Sequence, residues 1–249
     1  MTESPAVRDR VVAVIPARLA STRLPGKVLR LIAGVPMLGW VYRAASACPQ
    51  LDQVLIATDS PEVVAYADSQ GWPSIMTSSA LASGTDRVHA VAAIVDADIY
   101  VNIQGDEPLL RPQHIEALLW PFKTKNAQVT TLSTPCAPQE IDDPNAVKVV
   151  TANDGRALYF SRATIPYQRG IPLAPHKHIG LYAYRKEALR RFAELPPSPL
   201  ESVERLEQLR WLEEGISIYV ARTPFDTIGV DTEEDLLAAE QVLLQQIRG

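Results

Sequence analysis

Short apolar runs alternate with stretches of helical periodicity in the first part of the chain, and this alternation limits the possible folds more than any other feature. The apolar runs are typical of buried strands and lie at 11–16, 53–59 and 98–106. Helical spacing of apolar residues marks the stretches at 36–48, 60–71 and 86–96. Strands that alternate with helices predict a mostly parallel sheet with helices on its faces, the α/β class.

The pattern changes after about residue 125. Strand-like pieces then follow one another closely, at 127–135, 146–152, 156–163 and 177–185. We therefore expect a small, partly antiparallel extension at about 125–185 that forms a dimer or covers a substrate. Helices are predicted at 186–195, 200–215 and 232–248, with a strand at 217–223. Because no linker or repeat interrupts the chain, we predict a single α/β domain over 1–249.

The composition excludes several classes of protein. A net charge of −5 argues against general nucleic-acid binding, so a local cluster of basic residues is better explained as a site. The first ten residues lack the apolar core of a signal peptide, and no apolar run reaches the ~18–20 residues of a membrane span. Cys48 and Cys136 have no CxxC spacing and are interpreted as free thiols. The expectation is a soluble, cytoplasmic protein.

The loop PARLASTRLPGK, residues 16–27, follows the first predicted strand. It carries Arg18, Arg23 and Lys27, with Ser21 among them. Ligands of open α/β sheets bind beyond the carboxyl ends of strands, and guanidinium and ammonium groups suit phosphate oxygens. The loop is neither a Walker A motif nor GxGxxG. The sequence thus indicates an anion site, with a solvated basic loop as the alternative.

Two aspartates are candidate metal ligands. Asp106 follows the strand that ends in NIQG, and a carboxylate there could hold Mg²⁺ against the phosphates of a nucleotide. A turn capped by Asp106 explains the residue equally well. Asp231 precedes a capping box formed by Thr232 and Asp235 at the start of the last helix. Since that cap does not need Asp231, this residue is a second candidate ligand.

The second half of the chain offers weaker candidates. His178 and Tyr182 fall on the same face of a predicted strand, where half-buried packing is the alternative explanation. Glu207 and Gln208 are most simply explained as the solvated face of a helix. The histidines lack the spacing of zinc ligands, and no GxSxG motif supports a serine nucleophile.

A series of segments resembles, in order, the pattern of the 3-deoxy-manno-octulosonate (Kdo) cytidylyltransferases. The segments are PARLASTRLPGK, ATDSPEV, SGTDRV, NIQGDEP, DPNAVKVV, ALYFSRATIPY, HIGLYAYR, SPLESVERLEQLRWLE and GVDTEEDL, and the resemblance as a whole covers residue 11 to about residue 240. The resemblance implies a fold like that of nucleotide-diphospho-sugar transferases, which is Rossmann-like. It also implies a reaction in which CTP and Kdo give CMP-Kdo and diphosphate, with Mg²⁺ as cofactor, for lipopolysaccharide or a related polysaccharide.

The resemblance also implies roles for individual residues. The CTP phosphates would bind Arg18, Ser21, Arg23 and Lys27, and the cytosine would bind Ser83, Gly84 and Thr85 with Arg87 nearby. The metal ligands would be Asp106 and Asp231, which with Arg18 and Lys27 are the predicted catalytic residues. The Kdo pocket would consist of Gln104, Arg162, His178, Tyr182, Glu207 and Gln208. A homodimer is implied as well.

Two alternatives stay open at this point. The substrate could be another 2-keto sugar acid, 8-amino-Kdo or a sialic acid, depending on the loop at 168–177 and the pocket from 178 to 208. The chain could also be a nucleotide-binding regulator without turnover. The presence of both Asp106 and Asp231 argues against a regulator, because such a protein would not need metal ligands.

Overall fold

The computed structural model describes residues 8–21, 23–171 and 173–248. In this part of the chain nine strands form one mixed sheet, and helices cover both of its faces. The prediction about a signal peptide falls mostly on residues 1–7, which lie outside the described residues. No helix within the described ranges is both long and apolar enough to cross a membrane.

The strands and helices carry the following bounds. The strands are β1 Val11–Pro16, β2 Leu31–Ile32, β3 Val35–Pro36, β4 Gln53–Thr58, β5 Ser74–Met76, β6 Ile99–Asn102, β7 Val129–Pro135, β8 Lys148–Thr151, β9 Ala157–Ser161, β10 His176–Arg185 and β11 Ile218–Arg222. The α-helices are α1 Met37–Ser46, α2 Pro61–Ser69, α3 Gly84–Ala92, α4 Pro112–Thr124, α5 Lys186–Glu194, α6 Pro199–Glu204, α7 Gln208–Glu213 and α8 Glu233–Arg248. Short 3₁₀ turns occupy Lys27–Leu29 and Pro138–Glu140.

The main path of the sheet has the order β11-β7-β10-β6-β1-β4-β5. Neighbouring strands are parallel except at β10, which runs antiparallel to both β6 and β7. The hairpin of β8 and β9 pairs antiparallel with the start of β10 and lies off this path. The predicted fold class, a mostly parallel sheet flanked by helices with a small antiparallel extension, is therefore confirmed. The single-domain bounds and the role of residues 125–185 stay predictions.

The core has one layer on each face of the sheet, because successive residues of a strand point to opposite faces. Ala13 and Ile15 of β1 pack in one layer with Leu118 of α4. Val14, on the other face of β1, packs in the second layer with Leu189 of α5. Both layers are made of fully buried apolar side chains, whose burial is the main favourable contribution to folding.

A third, smaller apolar cluster joins the loop after β1 to the loop before α8. Leu236 and Leu243 of α8 pack with Leu24, which lies in the loop after β1, and with Val230, which lies in the loop before α8. The capping box at the start of α8 is formed, since Asp235 Oδ2 accepts from the Thr232 amide at 2.9 Å. The last helix thus fixes the basic loop of the N-terminal half against the segment that contains Asp231.

The prediction of one helix over 200–215 is wrong. The segment forms α6 and α7, separated at Arg205, whose φ of 56° is left-handed and ends α6. Leu206 is buried at this bend. Arg210 of α7 reaches back to Glu201 of α6 at 2.5 Å, so the two helices are tied across the break. The chain therefore changes direction between α6 and α7, next to the buried Leu206, and does not continue as one straight helix.

Candidate active site

The carboxyl ends of the parallel strands share one edge of the sheet. The loops that follow β1, β6 and β11 all leave from this edge. Because β10 is antiparallel, its amino end with His178 lies at the same edge. The predicted site residues from both halves of the chain therefore meet where ligands of open α/β sheets bind.

Two glycines allow the close approach of these loops. A Cβ on Gly105 would lie 2.9 Å from the carbonyl oxygen of Pro16, closer than such atoms can come. A Cβ on Gly84, the first residue of α3, would lie 2.8 Å from Gln104 Nε2. The loop after β6 thus packs directly on the end of β1 and on the start of α3, which positions Gln104 and Asp106.

Lys27 lies between the two predicted metal ligands. Its ammonium donates hydrogen bonds to Asp106 Oδ2, to Asp231 Oδ1 at 2.8 Å and to the carbonyl of Val230 at 3.2 Å. Arg23 Nη2 donates to the other oxygen of Asp231 at 2.8 Å. Burial by itself lowers the pKa of Lys27, but the two carboxylates outweigh burial and raise it above the usual value. The ammonium is therefore a fixed positive charge that both aspartates share.

The same two carboxylates fit a divalent cation. Their oxygens already converge on one positive group, and carboxylate oxygen is the ligand type that Mg²⁺ prefers. The described residues contain no group of three or more His, Cys, Asp or Glu side chains that could hold a metal ion. The pair therefore suits a cation that takes its remaining ligands from a phosphorylated substrate and water, as Mg²⁺ often does.

Two cavities meet at this charged group. The smaller one has a volume of about 260 Å³, and its wall includes Arg18, Ser21, Arg23, Lys27, Gly84, Gln104 and Asp106. The larger one has a volume of about 840 Å³, and its wall includes Arg23, Glu107, Arg162, Lys177, His178, Arg205 and Asp231. Arg23 borders both cavities, and Lys27 links an aspartate of the smaller wall to an aspartate of the larger wall.

A capping box builds the start of α3. Ser83 Oγ accepts from the amide of Asp86 at 3.1 Å, and Asp86 Oδ2 accepts from the amide of Ser83 at 3.0 Å. Gly84 comes next and lines the smaller cavity. Thr85 is buried and donates a hydrogen bond from its hydroxyl to Glu207 Oε1. Of the three residues predicted to bind cytosine, Gly84 is the one placed on the cavity wall.

The side chain of Arg87 contacts other protein side chains and is not exposed to a cavity, as a residue that binds a ligand would be. Its side chain is fully buried, with Nη2 at 3.2 Å from Asp59 Oδ2 and Nη1 donating to the Thr77 hydroxyl. Asp59 follows β4 and Thr77 follows β5, so the guanidinium joins two loops at the edge that holds the site. The binding of CTP by Arg87 stays a prediction, and this placement does not support it.

Arg162 borders the larger cavity and is held by main-chain carbonyls. Nε donates to Glu204 O at 2.8 Å and Nη1 donates to Pro144 O at 2.9 Å. Carbonyl groups orient the guanidinium without neutralising it, and Arg162 forms no ion pair with any residue that the structure describes. Its charge is therefore available to an anionic ligand in the cavity.

His178 is neutral in the folded chain. Its Nε2 lies 2.9 Å from Thr131 Oγ1, and its ring meets the ring of Phe160 edge-on with 5.0 Å between centroids. Burial among these groups lowers the pKa of the imidazole to about 3. The ring of Tyr182 lies 5.4 Å away, on the same face of β10, as the alternation predicted. A neutral imidazole can both donate and accept a hydrogen bond.

Glu207 and Gln208 do not form a solvated helix face, so that interpretation is wrong. Gln208 is buried, and Glu207 is half-buried with its carboxylate against Thr85. Burial raises the pKa of Glu207 above its usual value, although hydrogen bonds from Thr85 and Ser83 oppose the shift. Neither of these residues, nor Tyr182, is part of the wall of either cavity, and Glu207 connects the start of α7 to the start of α3.

Two residues of the larger cavity were missed by the sequence analysis. Lys177 is buried between Glu140 Oε1 at 2.5 Å and Asp226 Oδ1 at 2.7 Å. Glu107 is buried as well, and burial together with the neighbouring Asp106 raises the pKa of its carboxyl to about 8. Its position directly after Asp106 was the available signal. Its burial depends on the loop before α8, which no local pattern reveals.

Comparison with known proteins gives concordant matches. The family model described as cytidylyltransferase matches residues 12–218. The 3-deoxy-manno-octulosonate cytidylyltransferase of Acidobacterium capsulatum is 67% identical, over 95% of this chain and 97% of its own. The enzyme of the same name from Koribacter versatilis is 56% identical, over 94% of this chain and 90% of its own.

Two solved structures resemble the fold. A CMP:2-keto-3-deoxy-manno-octonic acid synthetase in complex with CTP superposes with a TM-score of 0.91 and 41% identity, covering 95% of this chain and 99% of that one. A Bacillus anthracis protein assigned as a glucose-1-phosphate thymidylyltransferase, in complex with sucrose, superposes with a TM-score of 0.69 and 17% identity. The second match covers 93% of this chain and 94% of that one, and it bears on the fold alone.

Proposed function

The chain belongs to the cytidylyltransferase family, and on this premise we propose that it transfers CMP from CTP to Kdo, releasing diphosphate. The reaction is the one named for the relatives that share 67% and 56% of their residues with it over nearly the whole chain. It is an enzyme of nucleotidyl transfer, and its substrates are small molecules.

The observation that carries the assignment of the site is the charged group between the two cavities. Asp106 borders the smaller cavity, Asp231 borders the larger one, and Lys27 bridges them. A transfer between two substrates needs the reacting atoms of both to meet at one place. We place the CTP phosphates in the smaller cavity and the sugar acid in the larger one, so that they meet at this group.

The basic loop supplies the phosphate contacts. Arg18 and Arg23 are exposed at the cavity walls, and their guanidinium groups suit phosphate oxygens. Ser21 lies beside them with a hydroxyl that can donate. Lys27, which contacts Asp106 and Asp231, neutralises the phosphate charge that lies nearest to these two aspartates. The start of α3, with Gly84 on the wall, is then left to contact the rest of the nucleotide.

The larger cavity suits an anionic sugar. Arg162 has a charge that no described carboxylate pairs with, and it would bind the Kdo carboxylate. His178 is neutral and can hydrogen bond to a hydroxyl of the sugar. Gln104, also predicted to bind Kdo, lies on the wall of the smaller cavity beside the start of α3. Tyr182, Glu207 and Gln208 are not part of the wall of the larger cavity, and a direct contact to Kdo would require the site to close.

Asp106 and Asp231 would hold Mg²⁺. When bound, Mg²⁺ would neutralise charge on the triphosphate and help to orient the attacking oxygen. The protein's own part is to keep both carboxylates in place, through Lys27 and through the hydrogen bond from the amide of Val230 to the carbonyl of Asp106 at 2.9 Å.

The bond changes follow from this arrangement. The anomeric hydroxyl of Kdo attacks the α-phosphorus of CTP, a new P–O bond forms, and the bond to the bridging oxygen of diphosphate breaks. The hydroxyl proton passes to solvent, and no covalent intermediate with the enzyme is needed. Positioning and charge neutralisation carry the catalysis, as in other phosphoryl transfers.

The test is the release of diphosphate from CTP with Mg²⁺, in parallel reactions that contain Kdo, 8-amino-Kdo or N-acetylneuraminate. We expect release with Kdo and formation of CMP-Kdo. Release with another acid alone would keep the nucleotide half of the proposal and overturn the sugar half. Binding of CTP without release from any acid would favour the non-catalytic regulator.

A homodimer through residues 125–185 is the proposed assembly. The chain exposes large apolar side chains on this part, at Leu158, Tyr167, Ile171 and Leu173. Exposed apolar patches often mark contact sites between proteins. Light scattering after size exclusion should give twice the chain mass, and Tyr167→Asp combined with Leu158→Asp should lower it. A monomer at micromolar concentration in the unmodified protein would contradict the proposal.

A further inference from the structure

Glu107 is a buried carboxyl in the wall of the larger cavity. Only 8% of the residue is exposed, and Oε2 has no hydrogen-bond partner among the residues that the structure describes. Buried polar atoms are almost always hydrogen bonded, and one without a partner raises the free energy of the fold. Because Glu107 lies on a cavity wall, a ligand bound in the cavity can supply the hydrogen-bond partner that the carboxyl group lacks.

The main chain fixes Glu107 in this position. Its amide donates to the carbonyl of Gln104 at 3.3 Å, and its carbonyl accepts from Leu110 at 3.0 Å. A Cβ added to Gly229 would lie 3.5 Å from Glu107 Oε1, so the loop before α8 packs against the carboxyl group. The terminal torsion of Glu is broad and two-fold, which lets either oxygen turn toward the cavity.

The other charged groups of the wall decide which part of a ligand Glu107 can contact. Glu140 is engaged with Lys177, and Asp231 with Lys27 and Arg23. The carboxylate of a sugar acid is attracted to Arg162, whose charge is held by main-chain carbonyls and is not paired with a described carboxylate. With the carboxylate placed at Arg162, the carboxyl group of Glu107 on the same cavity wall is left for the part of the sugar that carries hydroxyl groups.

We propose that Glu107 binds a hydroxyl group of the sugar acid and contributes to the choice of substrate. The inference rests on the proposed function. It assigns to Glu107 a contact with the substrate that neither the sequence pattern nor the names of the relatives provide. A site built to hydrogen bond a hydroxyl discriminates strongly against an analogue that lacks it, because the polar group of the protein is then left unpaired.

The experiment compares hydroxyl-deletion analogues between the unmodified enzyme and two variants. Kdo and its 4-deoxy, 5-deoxy, 7-deoxy and 8-deoxy analogues are the substrates, and Glu107→Gln and Glu107→Ala are the variants. For the unmodified enzyme we expect kcat/KM to fall by about tenfold to a hundredfold with one analogue in particular. In Glu107→Ala that analogue should react as well as Kdo itself, and in Glu107→Gln the discrimination should be intermediate.

Glu140→Gln is the matched control, since Glu140 borders the same cavity but is already paired with Lys177. It should keep the full discrimination among the analogues. Thermal unfolding and CTP affinity without sugar report whether each variant is folded. The inference is overturned if both Glu107 variants are folded and keep the analogue pattern of the unmodified enzyme. If the unmodified enzyme releases no diphosphate with Kdo, the proposed function fails instead, and the two failures are distinct.

Discussion

Asp106 and Asp231 are useful to substitute because their geometry can be kept while their charge is removed. Asparagine has the shape of aspartate and can still accept a hydrogen bond from Lys27, but it cannot attract a cation in the same way. For Asp106→Asn and for Asp231→Asn we expect diphosphate release to fall by on the order of a hundredfold or more. CTP affinity, measured by calorimetry without sugar, should be partly retained.

Glu233→Gln is the control for these variants. Glu233 lies two residues after Asp231 and forms an exposed ion pair with Arg30 at 2.7 Å, away from both cavities. It should lose less than twofold in turnover, because Glu233 is outside both cavity walls, and it should lose about 1 kcal/mol or less in stability, as is usual for an exposed ion pair. Full turnover by Asp106→Asn would contradict the assignment of that residue as a metal ligand.

Arg162 allows charge and shape to be separated. Arg162→Lys keeps the positive charge but loses the planar fork, which both orients the side chain on the carbonyls of Glu204 and Pro144 and suits a carboxylate. We expect the KM for Kdo to rise by about tenfold and the KM for CTP to stay within twofold. Steady-state kinetics with each substrate varied in turn gives the answer.

The matched control for Arg162 is Arg156→Lys, on the same hairpin but paired with Asp154 and half-exposed. It should change neither KM. An equal rise in the KM of both substrates for Arg162→Lys would mean that the residue holds the fold of the hairpin and not the sugar acid.

At the scale of elements, the sequence predicts the positions of helices and strands better than the places where a helix bends or breaks. β1 is found over the predicted residues, and α2 lies within the predicted 60–71, where Ser60 caps it by accepting from the amide of Glu62 at 3.2 Å. These elements depend on local signals. No local signal marks the break at Arg205, beside which Leu206 is buried in a core cluster with residues distant in the chain. Helix α4 was missed although Ile115, Leu118, Leu119 and Phe122 have helical spacing, since its two prolines resemble loop signals.

Gly105 tests how the elements hold the site. In Gly105→Ala the new Cβ would lie 2.9 Å from the Pro16 carbonyl, and this neighbour is main chain that cannot rotate away. The loop after β6 would have to move off the end of β1, taking Gln104 and Asp106 with it. We expect a loss of about 1–3 kcal/mol in the free energy of unfolding and at least a tenfold loss of kcat.

Gly170→Ala is the corresponding control, because no atom lies within 4 Å of its added Cβ. Urea unfolding and diphosphate release should both be close to those of the unmodified protein. If Gly105→Ala keeps full activity and stability, the contact between the ends of β1 and β6 does not position the site.

For the whole molecule, the candidate site could be predicted as far as it follows from the ends of strands. Arg18, Lys27 and Asp106 come directly after predicted strands, and the carboxyl ends of parallel strands share one edge of the sheet, so a site at that edge was expected although the strand order was not predicted. The neutral state of His178 was not, because it depends on how β7, β9 and β10 pack around it. Long-range burial sets the chemistry of such groups, and a sequence pattern carries little of it.

The burial of His178 gives the molecule a predictable response to acid. Its pKa is about 3 in the folded chain, against a usual value of 6.5 that applies when the chain unfolds. Between these values the unfolded chain binds a proton that the folded chain does not. The free energy of unfolding therefore falls as the pH is lowered below 6.5, by about 1.4 kcal/mol for each pH unit from this residue.

His178→Gln removes this titration and leaves other groups in place. At pH 8 the variant should be less stable by about 1 kcal/mol, since the hydrogen bond with Thr131 at 2.9 Å is weakened or lost. Below pH 6.5 the unmodified protein loses the contribution of the neutral imidazole and the variant does not, so the difference should shrink and then change sign. Urea unfolding followed by tryptophan fluorescence from pH 8 to pH 5, without substrates, measures it. The difference at pH 8 is the internal reference, and a gap that stays constant down to pH 5 would show that His178 takes up its proton in the folded chain as readily as in the unfolded one.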